Sequence, residues 1–440
     1  MSPLPTRSGL LRSITRLDLI AVTLNGVIGA GIFGLPGKVF GLIGDYSLLA
    51  FLLCAAFSAI IVLCFAEVGS RFRGTGGPYL YTREAFGPTA GFGAGWLMWI
   101  ARVTAFAANS NLLCSYAAFF VPQVATGLGR NLFLCAVTFL LVGVNYAGIR
   151  GAALFNNVFT VGKLIPLLVL ISVGVWFVSW NSFHFGTPPA YAPFSTSVLL
   201  LVYAFTGFEM AVVPGGEIRD PQKDIPTALL TAIGIVAVVY LLLQVVCIGL
   251  LPDLATSQRP VADAASRILG HAGAAFISAG IVVSITGNLH VVLLSASRIP
   301  FAMGQRVEMP AVLGKTHPRF QTPHISILAT GAVVLILAIS GTFVYAVTVS
   351  ILARLVIYLG TAASMIALRR RSDAPKALLH LPGGLLIPTA AILLSLWLMS
   401  NSTLREARDT SLAAALGFAI YLISKYRRPH SRSQTEIPPA

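Results

Sequence analysis

The stretch from Leu17 to Leu42 is long enough to cross a bilayer and carries no acidic or basic residue between Asp18 and Lys38, yet Gly29-Ala30-Gly31 sits in its middle. Glycine lowers helix stability at interior positions. In lipid, a broken helix persists only where its freed N–H and C=O groups find partners. The run therefore predicts an interrupted helix beside a cavity, with backbone groups free to hold a polar ligand. A second interruption, Thr206-Gly207-Phe208-Glu209, lies in a later apolar segment. Two broken spans at corresponding places in two halves of a chain point to a secondary transporter.

The remainder of the chain fits that setting. Of 440 residues, 56% are hydrophobic and 10% charged, against about 25% charged in a soluble domain. A span needs about 20 apolar residues. Twelve segments qualify: 17–42, 46–70, 90–121, 132–148, 152–179, 195–215, 227–251, 273–303, 325–340, 343–368, 385–400 and 412–426. The expected organisation is a cytoplasmic segment 1–16, an all-α transporter domain 17–426 and a disordered polar tail 427–440. The first run is much longer than a signal h-region and reads as an uncleaved span. Two connections read as short helices: Pro78–Phe86, behind a glycine-rich turn, and an amphipathic stretch from Pro260 to His271.

A net charge of +15 raises the possibility of nucleic-acid binding, but its distribution argues otherwise. With twelve spans and a cytoplasmic N-terminus, 21 of the 30 Lys and Arg residues fall on the cytoplasmic side and 6 on the other. This is the positive-inside bias. It puts both termini in the cytoplasm, at a plasma or inner membrane, and assigns the excess charge to topology and anionic lipid. All five cysteines fall within spans without metal-ligand spacing and read as packing residues. Gly29–Gly34 matches G-x-G-x-x-G, but inside a span, with no acidic residue near the required spacing. No cofactor, metal or catalytic constellation is expected.

Charge at membrane depth is expensive and usually functional. The candidates are Arg102, Lys163, Glu209 and Arg354. Glu67 and Arg298, nearer helix ends, are expected to snorkel. Glu209 reads either as a gating or proton-linked group, or as a structural acceptor and counterion for a buried arginine. A carboxylate there is costly unless hydrogen-bonded, paired or protonated. Lys163 reads either as a fixed or titratable cation at a functional position, or as a lysine reaching the cytoplasmic edge. Arg102 and Arg354 are expected to pair with carboxylates or helix C-termini inside the bundle, with direct contact to the ligand as the second reading.

Four motifs carry a resemblance. They are Gly26-Val27-Ile28-Gly29-Ala30-Gly31-Ile32-Phe33-Gly34-Leu35-Pro36-Gly37, Gly74-Thr75-Gly76-Gly77-Pro78-Tyr79, Tyr203-Ala204-Phe205-Thr206-Gly207-Phe208-Glu209, and Gly216-Glu217-Ile218-Arg219-Asp220-Pro221 continuing to Pro226. Along nearly its whole length the chain resembles the amino acid–polyamine–organocation transporters. The resemblance implies a five-plus-five inverted repeat of the sodium-coupled leucine transporter type, with discontinuous helices 1 and 6 and two further helices. It implies a membrane permease for amino acids, working as a symporter or antiporter. The N–H groups of Gly29, Ala30 and Gly31, at a half-helix N-terminus, suit a substrate carboxylate. Carbonyls near Ile28, Tyr203 and Phe205 suit its ammonium, with Thr206 and Gly207 completing the substrate site. Lys163 is similar to a lysine that replaces sodium in relatives, which implies coupling to protons or exchange. Tyr203 resembles an aromatic gate and Glu209 a gating glutamate. The expected lining (Met98, Ala101, Ala105, Thr206, Thr286, Val291) is mostly apolar or small and favours a neutral amino acid. A cationic amino acid or polyamine, with Glu209 as counter-charge, is the second reading, and a non-transporting sensor the third.

Overall fold

The computed structural model describes residues 10–257, 259–340, 343–401 and 404–426. The expected tail 427–440 and the first nine residues lie outside them. The described residues form helices and short 3-10 turns, with one isolated parallel bridge between Ile14 and Ile218.

The first run is two helices, α1 (Arg16–Val27) and α2 (Ala30–Ile43). α1 opens on a reciprocal cap: Thr15 Oγ1 accepts from the Asp18 N–H at 3.3 Å, and Asp18 accepts from the Thr15 N–H at 2.9 Å. α3 (Ser47–Gly69), the short α4 (Pro78–Phe86) and α5 (Pro88–Ala117) follow. α6 (Gly127–Ala147) and α7 (Ile149–Gly174) come next, then α8 (Tyr191–Phe205) and α9 (Pro221–Leu250). α10 (Pro260–Gln305) is merged across a kink at Gly270, whose φ of 60° divides the expected amphipathic stretch from the span behind it. α11 (His324–Ser340), α12 (Phe343–Arg370), α13 (Leu386–Ser400) and α14 (Leu404–Tyr426) complete the chain.

Seven helical segments among the described residues are long and apolar enough to cross a membrane, and three shorter apolar helices accompany them. α5 falls outside this set despite its 30 residues. It carries Arg102, Asn109 and Ser110 and buries them against neighbouring helices, principally α10 and α12. A helix wrapped by protein need not be apolar all round. The sixth expected segment, 195–215, is helical only as far as Phe205. Beyond it the backbone runs through turns and 3-10 segments to Glu217.

Burial follows the inversion that lipid imposes. On α7, Asn156, Thr160, Lys163, Leu167 and Leu170 are buried at three- and four-residue spacing, while Leu154, Val158, Val161, Ile165 and Leu168 are exposed. Polar groups face the bundle and aliphatic ones face outward. Glu67 and Arg298 do not snorkel. Both are fully buried. Arg369 donates to Glu67 at 2.7 and 2.6 Å, and Arg298 makes a forked pair with Glu217 at 2.9 and 2.8 Å. A satisfied partner within the protein removes the reason for a charge to reach water.

Candidate functional site

The two interruptions face each other. α1 ends at Val27, and Ile28 and Gly29 leave the helical region before α2 resumes at Ala30. α8 ends at Phe205, Thr206 is extended and Gly207 takes φ 117°, a region that favours glycine. A Cβ on Gly207 would stand 2.2 Å from the Gly26 carbonyl oxygen. The two chains therefore cross at Gly26 and Gly207 at backbone contact. Beyond the crossing, a Cβ on Gly31 would stand 2.9 Å from Ala204 Cα. Gly31 thus serves close approach of α2 to α8, a packing role besides any role in holding a ligand.

The carbonyls freed at the end of α1 are all engaged by side chains. Asn288 Nδ2 on α10 donates to Asn25 O at 3.0 Å and Gly26 O at 2.9 Å. The Tyr240 hydroxyl on α9 lies 3.1 Å from Val27 O and 3.2 Å from Ala204 O, touching the last turns of both α1 and α8. Lys163 Nζ on α7 donates to Ile28 O at 2.5 Å and Asn25 O at 3.2 Å, with Ser284 Oγ on α10 a further 3.4 Å donor to Ile28. An ammonium at a helix C-terminus complements its negative pole. Lys163 therefore lies inside the bundle and not at its edge. The Ile28 carbonyl, expected to receive a substrate ammonium, is engaged by the chain's own. Of the other carbonyls expected there, Tyr203 O accepts the Thr206 hydroxyl at 2.8 Å. The opposite side of the break differs: among the described residues no side-chain cap closes the start of α2 at Gly29, where a helix has N–H groups without an intrahelical partner.

Glu209, buried behind the second break, gathers four donors. Arg102 Nη2 lies 2.7 Å from it, the Gly207 N–H 2.9 Å, the Tyr358 hydroxyl 3.1 Å and Arg354 Nη1 3.4 Å. The carboxylate satisfies the orphan N–H at Gly207 and is shared by two arginines. Phe208 stacks on Tyr358 alongside, with ring centroids 5.5 Å apart.

A cavity of about 20 Å³ lies between the breaks, lined by Gly26, Val27, Ala105, Asn109, Tyr203, Thr206, Met210, Asn288, Val292 and Arg354. That is room for about one water. Tyr203, Thr206 and Ala105 line it as expected. Ile28, Gly29, Gly31, Phe205, Gly207, Met98, Ala101, Thr286 and Val291 do not. Gly29 packs beside Asn288, Ala101 on α5 clusters with Leu97 and Ala353, and the Thr286 hydroxyl donates to its own helix at Val282 O. Sequence reasoning missed Tyr240, Asn288 and Asn109. Each is a polar residue inside an apolar helix, the signal that singled out Lys163, but uncharged and so less conspicuous.

The family model described as "Amino acid permease" matches residues 14–421. The serine/threonine exchanger SteT of Bacillus subtilis is 28% identical over 420 residues, covering 94% of this chain and 96% of that protein. The methylthioribose transporter of the same organism is 26% identical, covering 96% and 95%. Its branched-chain amino acid permease BcaP is likewise 26% identical, covering 96% and 94%.

Proposed function

The chain belongs to the amino acid permease family, and we propose that it is a sodium-independent secondary transporter of amino acids with uncharged side chains, coupled to protons or working by exchange. The family consists of transporters, not enzymes, and the chain is an integral membrane protein. The proposal extends to twelve spans arranged as a five-plus-five inverted repeat followed by two helices, with both termini in the cytoplasm.

The observation that carries the reading is the polarity of the first break. Its carbonyl end is saturated by Lys163, Asn288, Tyr240 and Ser284. Its N–H end, at Ala30 and Gly31, is uncapped. A substrate carboxylate supplies the acceptor that an uncapped helix N-terminus lacks. The ammonium then turns toward Tyr203 and the Thr206 hydroxyl oxygen on the cavity wall. Lys163 supplies at the end of α1 the positive charge that a sodium ion would otherwise bring, which supports sodium independence.

Glu209 is a poor counter-charge for a cationic side chain, because two guanidiniums already share it. Small and apolar walls at Ala105, Met210 and Val292 favour an uncharged side chain. Counterflow of labelled amino acids into proteoliposomes, with choline replacing sodium and with or without a pH gradient, tests the reading. Uptake of neutral amino acids without sodium is expected. A strict sodium requirement, or binding without flux, would overturn it.

A further inference from the structure

Among the described residues lining the cavity, Arg354 carries the one formal charge, and it is positive. Its counter-charge is Glu209, at 3.4 Å, which lies 2.7 Å from Arg102 as well. One carboxylate thus serves two guanidiniums, and the group holds an excess positive charge while nearly or wholly buried. Its donors are not used up. Arg102 Nε and Nη1 and Arg354 Nε are buried with no hydrogen-bond partner among the described residues. Unpaired charge and unsatisfied donors at this depth are both costly, and the cost is relieved when an anion enters beside Arg354.

We infer that Arg354 is a specificity-determining residue that receives a second carboxylate, so that the site also accepts amino acids with acidic side chains. The inference rests on the reading of this cavity as the substrate site. A guanidinium presents a flat fork of N–H groups that fits a carboxylate better than it fits a neutral amide. The same charge repels a lysine or polyamine side chain. The second carboxylate of such a substrate goes to Arg354, in the space bounded by Thr206 and Asn109, while the first reaches the start of α2 only once the cavity has widened toward it. An inorganic anion such as chloride has the same attraction for Arg354, and the test separates the two.

The test is competition for counterflow of a labelled neutral amino acid by unlabelled glutamate, glutamine and lysine, with chloride present or replaced by gluconate. In the wild-type protein, glutamate is expected to compete about tenfold or more better than lysine, and as well as glutamine, because a charge-assisted bond to Arg354 offsets the cost of burying the second carboxylate. Replacing chloride should leave these ratios unchanged. In Arg354→Gln, which leaves Glu209 and Arg102 as a balanced pair, competition by glutamate relative to glutamine should fall about tenfold or more whatever happens to the overall rate. Arg354→Lys should restore part of it. If either variant fails to elute as a folded protein, the wild-type ratios decide alone. Glutamate that does not compete while a neutral amino acid does overturns the inference and leaves the site reading standing, as does a requirement for chloride in neutral uptake. No competition by any amino acid overturns both.

Discussion

Replacing Glu209 by glutamine keeps the shape of the side chain and removes its charge, leaving Arg102 and Arg354 buried together without a counter-charge. Glutamine still offers one acceptor oxygen, but its NH2 group points donors where donors already converge: Arg102 and Arg354 at one carboxylate oxygen, Gly207 N–H and Tyr358 at the other. Breaking a buried pair by removing one partner costs roughly 3–5 kcal/mol, whereas replacing the whole pair by neutral groups is often close to neutral. Glu209→Gln is therefore expected to be strongly destabilised. Arg102→Gln added to it should recover most of the loss, because the cluster then again holds a single excess positive charge on Arg354. The assay is the temperature at which half of the purified protein leaves the monodisperse elution peak, measured without ligand in one detergent. The order expected is wild type, then double variant, then Glu209→Gln well below both. A single variant as stable as wild type would mean that the folded chain already holds Glu209 as the neutral acid. The double variant's failing to improve on the single would mean that Arg102 is not its electrostatic partner. Either result refutes the reasoning.

Lys163→Met removes the ammonium from the Asn25 and Ile28 carbonyls and leaves Ile28 with the 3.4 Å contact from Ser284; apparent substrate affinity should fall about tenfold, and an unchanged half-saturation concentration would count against Lys163 holding the break. Gly207→Ala combines φ 117° with a Cβ 2.2 Å from the Gly26 carbonyl oxygen, so its yield of monodisperse protein should collapse, while Gly26→Ala, whose Cβ approaches Gly207 O at 2.8 Å, should be milder; equal yields would contradict the crossing described. Gly31→Ala places a Cβ 2.9 Å from Ala204 Cα and 3.0 Å from its Cβ, so uptake should drop and Ala204→Gly should restore part of it, and no rescue would shift the role of Gly31 from helix packing toward the ligand.

The breaks were legible because their causes are local. Glycine and proline act on the backbone at their own positions, so Gly29, Gly207 and the Gly77-Pro78 start of α4 could be placed from the sequence. Partnership is not local. Glu67 meets Arg369 across 302 residues and Glu209 meets Arg102 across 107, so only the packed bundle decides between a paired charge and one that reaches for water. Pairing was anticipated for Arg102 and Arg354, whose depth forces it, and missed for Glu67 and Arg298, which lie near enough to helix ends for solvent to compete.

The same distinction applies to the backbone groups at the first break. A break in lipid frees both carbonyls and N–H groups, and the sequence alone treats the two as equally available to a ligand. In the folded chain they are not. Side chains from α7, α9 and α10 engage the carbonyls at the end of α1, and Glu209 takes the N–H at Gly207. The start of α2 is left without a side-chain cap, and the charged wall of the cavity, Arg354, is cationic. Two features of unrelated origin thus carry donors, the backbone at the start of α2 and the Arg354 side chain on the cavity wall. The protein has built the first break to hold its shape through its own side chains, so a substrate need not stabilise it, and has kept its open hydrogen-bonding capacity for acceptors. On the proposed reading, selection among amino acids falls to whatever the side chain brings within reach of Arg354.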